Sequence, residues 1–191
     1  MVIFFSIYAF LGYIMESVYV SILQKKWISS GLLKGPFIPL YGIGAITLIL
    51  LSPYLTQPWL CFFIGGITMT CIEYISSLYI EKVFHTKCWD YSHHHFQFQG
   101  RICLFYYLIW SFLSCLFIFY IHPWIIKIIP CNDITLLFSL IFITFISKSF
   151  IDQINHSKNN ELISKKEYQI KKESQSWFPF ILDKLLLLLD F

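Results

Sequence analysis

The chain has 191 residues, 57% of them hydrophobic and 13% charged, with a net charge of +3. Soluble domains carry about 25% charged residues, so this composition belongs in lipid and, at this length, excludes a separate soluble catalytic domain. Arg101 is the sole arginine and no basic stripe occurs, which excludes a nucleic-acid partner.

Five apolar runs follow in chain order. The first, Val2 to Leu23, ends at Gln24-Lys25-Lys26 and carries one charge, Glu16. A loop from Ile28 to Leu40 contains Gly31, Gly35, Pro36 and Pro39, residues that break a helix and shape a turn. The second run, Tyr41 to Leu55, holds Gly42 and Gly44 as close-packing sites. The third, Trp59 to Ile80, buries Glu73 and ends at Glu81-Lys82. After a polar stretch from Val83 to Gly100, the fourth run covers Ile102 to Ile121 and closes at His122-Pro123. The fifth covers Ile134 to Ile151. Residues 1–151 thus read as an all-α polytopic membrane bundle of about five transmembrane helices. Residues 152–191 read as a cytoplasmic polar tail ending in an amphipathic segment, Trp177 to Phe191.

The charges predict an orientation. Lys25, Lys26 and Lys34 follow the first run, Lys82, Lys87 and Arg101 follow the third, and Lys158, Lys165, Lys166, Lys171 and Lys172 lie in the tail. The loops after runs two and four offer only Lys127. The positive-inside rule puts the N-terminus outside and the C-terminus inside, with five spans. Runs one and three also echo one another, each with a Glu about nine residues before a Lys and each followed by a loop closing on Gly and a basic residue. Two parallel repeats of a helical hairpin would produce this, as would chance similarity between hairpins.

An ionisable residue inside a span costs about 2.5–3.5 kcal/mol even on a lenient insertion scale, so Glu16 and Glu73 are the sharpest signals. Tyr13 shares a helical face with Glu16, and Ser76 and Ser77 share one with Glu73. Two readings fit: a cleft binding a cation, a proton or a cationic substrate group, or carboxylates that only hold helices together. Arg101 completes this candidate cleft, since its long side chain can reach inward to pair with Glu16 or Glu73. Trp89-Asp90-Tyr91-Ser92 suits an interfacial turn. Gly35-Pro36-Phe37-Ile38-Pro39-Leu40-Tyr41-Gly42 suits either a re-entrant element lining a cavity or a stiff turn. His93-His94-His95 matches no standard metal spacing, and the six cysteines read as small apolar residues, so no metal and no cofactor are expected. With no Walker A motif, the chain is not expected to hydrolyse ATP.

Taken together, Glu16, the stretch Gly31 to Gly42, Glu73-Tyr74, Glu81-Lys82, Trp89-Asp90-Tyr91-Ser92 and Gly100-Arg101-Ile102-Cys103-Leu104 resemble the putative ABC-transporter type IV permease family, called CmpB-like. The similarity covers roughly residues 5–125. It implies a bacterial cytoplasmic-membrane protein, a permease-like subunit moving a small solute. It also implies a separate ATPase partner at the cytoplasmic loops and a homo-oligomer within membrane lipid. The rivals are a membrane enzyme acting on a lipid or isoprenoid, with Arg101 holding a phosphate, and a non-catalytic membrane scaffold.

Overall fold

A computed structural model describes residues 1–130 and 132–159. Helix α1 spans Val2–Gln24, 23 residues or about 34 Å. It stops where Lys25 turns left-handed (φ 52°) and the amides of Lys25 and Lys26 fold back onto Ile22 and Ser21 carbonyls.

Residues 28–38 then run back alongside α1 without forming a helix. Ile28 meets Ser21, Ser30 meets Ser17 and Glu16, and the Ile38 amide donates to the Ala9 carbonyl at 3.0 Å. From Ser21 to Ala9 the helix descends about 18 Å. Non-helical chain at membrane depth survives only when protein or a cavity covers it. Here Ser30, Leu33, Phe37 and Ile38 are buried. Side chains replace water as partners: Ser21 and Ser17 hydroxyls accept from the Ile28 and Ser30 amides at 2.9 and 3.0 Å. Ser149 donates to the Lys34 carbonyl at 2.8 Å.

Helix α2, Pro39–Tyr54, completes this second passage, with Pro39 at its first turn where a missing N–H costs nothing. Helices α3 (Pro58–Phe84), α4 (Leu104–Ile128) and α5 (Asp133–Asn159) follow. Four of the five, all but α2, are long and apolar enough to cross a membrane. The all-α membrane bundle expected from the sequence is the architecture found, with one refinement: the first part of the second passage is non-helical, bent chain.

Two expected boundaries moved. The sequence predicts that run four closes at His122-Pro123, yet α4 continues to Ile128. A π-helical turn at Phe117–Ile121 precedes the proline and locally reorganises the backbone bonding that Pro123 would otherwise break. Helix α5 passes Ile151 and runs to Asn159, where the Ser157 hydroxyl donates to the Phe84 carbonyl. The amphipathic segment expected at Trp177 to Phe191 lies outside the described residues.

Small residues set the helix crossings, as they do where lipid offers no hydrophobic drive. Gly12 takes the Tyr41 ring, Gly42 lies on Phe5, and Gly65 and Gly66 take Ser114 and Ser111 of α4. Helix α5 covers residues 28–38 from outside through Ala9, Leu33, Phe37 and Ile146, with Phe142 and Phe150 beside them. A second cluster, Tyr8, Ala45 and Ile125, joins α1, α2 and α4, and the Tyr8 hydroxyl bonds His122 Nδ1 at 2.7 Å.

Candidate functional site

Each carboxylate within a span is met by the chain that follows its own helix. Glu16 on α1 accepts from the Ser30 hydroxyl at 2.5 Å. Glu73 on α3 is 4% exposed; its Oε1 accepts from the Tyr91 hydroxyl at 2.9 Å and its Oε2 from Trp110 Nε1 at 3.1 Å. Hydrogen bonds to charged groups contribute about 1.5–3 kcal/mol each, which offsets part of the burial cost. Tyr41, at the start of α2, lies against Glu16 and within electrostatic reach of Glu73, with its ring 6.2 Å from that of Trp110.

The loop that delivers Tyr91 is built by the Trp89-to-Arg101 motif. Two short strands, β1 (Gln97–Phe98) and β2 (Ile102–Cys103), pair antiparallel with Phe98 opposite Ile102. Asp90 accepts from the Ser92 amide at 3.0 Å and also from its hydroxyl, closing an Asx-turn. Gly100 sits at φ +67°, and a Cβ there would meet Asp90 Oδ1 and Ser92 Oγ at 2.7 Å. Its carbonyl accepts from the Tyr91 amide at 2.7 Å, while Trp89 Nε1 donates to the Arg101 carbonyl at 2.9 Å. Tyr91 is thereby driven inward and stacks on Tyr106 at 4.3 Å. Burial pushes the Asp90 carboxyl up, but the Ser92 hydroxyl and amide, with Lys87 and His93, outweigh it and hold Asp90 below the usual carboxylate range.

Between α1, α3, α5 and the two inward loops lies a cavity of about 1260 Å³. Glu16, Glu73, Ser30, Tyr41, Ser76 and Trp110 are among the residues that line it, within walls that are largely isoleucine, leucine and aromatic. Its loop-side lining includes Lys34, Lys87, Trp89 and, from α5, Gln153 and His156. A concave, mostly apolar space with a few convergent polar groups is the form that small-molecule sites take.

Of the residues singled out from the sequence, Glu16, Glu73, Ser76, Tyr41, Trp89 and Tyr91 border this space. Tyr13 does not; its hydroxyl bonds Ser29 at 3.0 Å. Arg101 is not among the lining residues either. Its guanidinium donates to Ser77 at 2.8 Å and pairs with Glu81, rather than with Glu16 or Glu73. The acid it meets lies about two turns beyond Glu73 on α3, and the buried Nε of Arg101 has no hydrogen-bond partner among the described residues. Gly35 (φ +136°) turns the chain with Pro36 so that Phe37 packs on α5. Gly42 serves the α1–α2 crossing. His94 stacks flat on Phe105 at 5.7 Å, and among the described residues no three His, Cys, Asp or Glu side chains gather for a metal.

Ser30 and Trp110 are not among the site residues that the sequence predicts. Ser30 stands in a Ser-Ser-Gly loop and Trp110 inside an apolar run, so neither carries a local signal of the carboxylate it meets.

The family described as putative ABC-transporter type IV matches residues 3–154. The chain belongs to this family. The match extends beyond the 5–125 similarity legible in the motifs and takes in every helix, including most of α5. No curated protein and no solved structure matches the chain. Membership of this family, together with four span-length apolar helices among the described residues, makes the chain a membrane protein.

Proposed function

We propose that this chain is a permease-like membrane subunit in which the cavity between α1, α3 and α5 takes up a small solute through Glu16 and Glu73. One observation carries the reading: both membrane-depth carboxylates border the same cavity. Ionisable residues inside spans mark solute or ion pathways by default. A separate ATPase subunit would act at the end that carries the inward loops, and a homodimer would widen the enclosing wall. The same end holds Lys25, Lys26, Lys34, Lys82 and Lys87, which supports placing it on the cytoplasmic side of a bacterial cell membrane, with the N-terminus outside. The lipid-enzyme reading gives Arg101 a phosphate to hold, but both terminal nitrogens of that guanidinium already have partners.

The test is transport of a panel of labelled small solutes by cells producing wild type, Glu16→Gln or Glu73→Gln at equal membrane abundance. A solute moved by wild type should be moved at least tenfold more slowly by Glu16→Gln. Undiminished transport by both variants would reduce the two acids to helix glue.

A further inference from the structure

Resting on the permease reading, we infer that the cavity selects an organic cation with an apolar body, bound by Glu16 and caged by the aromatic rings around it. Three observations converge on that class.

The first is uncompensated charge. Among the described residues, the ion pair is Arg101–Glu81, and neither Glu16 nor Glu73 belongs to one. The lysines that border the cavity, Lys34 and Lys87, come from the two loops, and the Lys34 carbonyl is tied outward to Ser149 of α5. A carboxylate removed from water without a cation is costly, and a cationic guest relieves that cost.

The second is the division of labour between the acids. Both oxygens of Glu73 accept from protein donors, Tyr91 and Trp110, so this carboxylate is positioned by its surroundings. Glu16 takes the Ser30 hydroxyl on Oε1 and has the Tyr41 hydroxyl beside it, but it is only half-buried where Glu73 is buried. Glu16, the more exposed acid, is therefore the contact residue, and Glu73 adds field from α3.

The third is the kind of surface around the acids. Tyr19, Tyr41, Tyr106 and Trp110 border the same space, and aromatic faces attract quaternary and alkylated ammonium groups once water is excluded. A metal ion fits poorly. No third ligating side chain joins the acids among the described residues, and hard dications take six or more oxygens. A volume of about 1260 Å³ exceeds what an ion alone would fill.

The experiment uses the full chain in nanodiscs of zwitterionic lipid, with benzyltrimethylammonium as probe and its neutral carbon isostere, neopentylbenzene, as control. Binding is read by quenching of tryptophan fluorescence and by calorimetry. The probe should bind saturably, Glu16→Gln should weaken it at least tenfold, Glu16→Asp should recover part of the loss, and the isostere should show no saturable site. Equal binding of the isostere, or unchanged affinity in Glu16→Gln with an unchanged melting temperature, overturns the inference. The two proposals fail separately. A solute transported without competition from the probe leaves the permease reading and removes the cation; saturable cation binding without any transport does the reverse.

Discussion

The Tyr91 hydroxyl donates to Glu73 at 2.9 Å, joining a loop to the middle of the helix that precedes it. Glu73 lies 11 residues before the end of α3, so Tyr91 reaches about 16 Å back into the bundle. The contact from Ser30 to Glu16 does the same for α1. Both helices end on a left-handed residue, Lys25 at φ 52° and His85 at φ 53°, and both following segments turn inward to a carboxylate.

Removing the Tyr91 hydroxyl leaves Glu73 with one donor fewer at a site that is 4% exposed. Tyr91→Phe should lower stability by about 1–3 kcal/mol, the cost of an unsatisfied buried acceptor. Thermal melts in detergent would show it, and in a Glu73→Gln background the same change should cost less. An identical melting temperature for Tyr91→Phe and wild type would argue that the bond is absent.

The α3–α4 crossing depends on the absence of a Cβ at Gly66, where one would meet the Ser111 hydroxyl. Gly66→Ala should destabilise by about 1–3 kcal/mol through overpacking. Adding Ser111→Ala removes the offending oxygen and should restore part of the melting temperature. If the double variant is no better than the single one, the two helices do not meet there.

Asp90 is held below the usual carboxylate range, so its contribution follows a definite sign. The stabilisation is fully present above the unfolded value of about 3.9 and is lost as pH falls through the lower folded value. Hydrogen exchange of the Tyr91 and Ser92 amides should stay slow down to about pH 4 and quicken below it. Asp90→Asn should flatten that dependence; retention of the full acid transition in Asp90→Asn would assign it elsewhere.

Orientation is open to a direct check at two exposed positions, Lys26 and Tyr54, at opposite ends of the bundle. With native cysteines replaced, Lys26→Cys should resist a membrane-impermeant maleimide in intact cells and Tyr54→Cys should react. The reverse pattern would invert the topology.

How much of this was legible in advance depends on the range of the signal. The runs around Glu16, Glu73 and Ile134 to Ile151 announce helices because hydrophobicity summed over about 20 residues is a local property. The His122-Pro123 stop misled because a proline's cost depends on the turn before it, and a π-helical turn leaves no mark in composition. The tie between Arg101 and Glu81 was missed for a different reason. Charge and reach on paper pointed the guanidinium at the acids inside the spans, Glu16 and Glu73, and only the fold turns it to Glu81 instead.

By itself the sequence determined a helical membrane protein, its family motifs and two carboxylates at membrane depth, because lipid imposes a simple apolar rule on every segment it touches. Only the tertiary structure decided that residues 28–38 descend as non-helical chain, that Ser30, Tyr91 and Trp110 hold the acids, and that a cavity joins them. Those outcomes rest on hydrogen bonds between residues 14, 18 and 37 positions apart, each made because a buried polar group in lipid has no water to turn to.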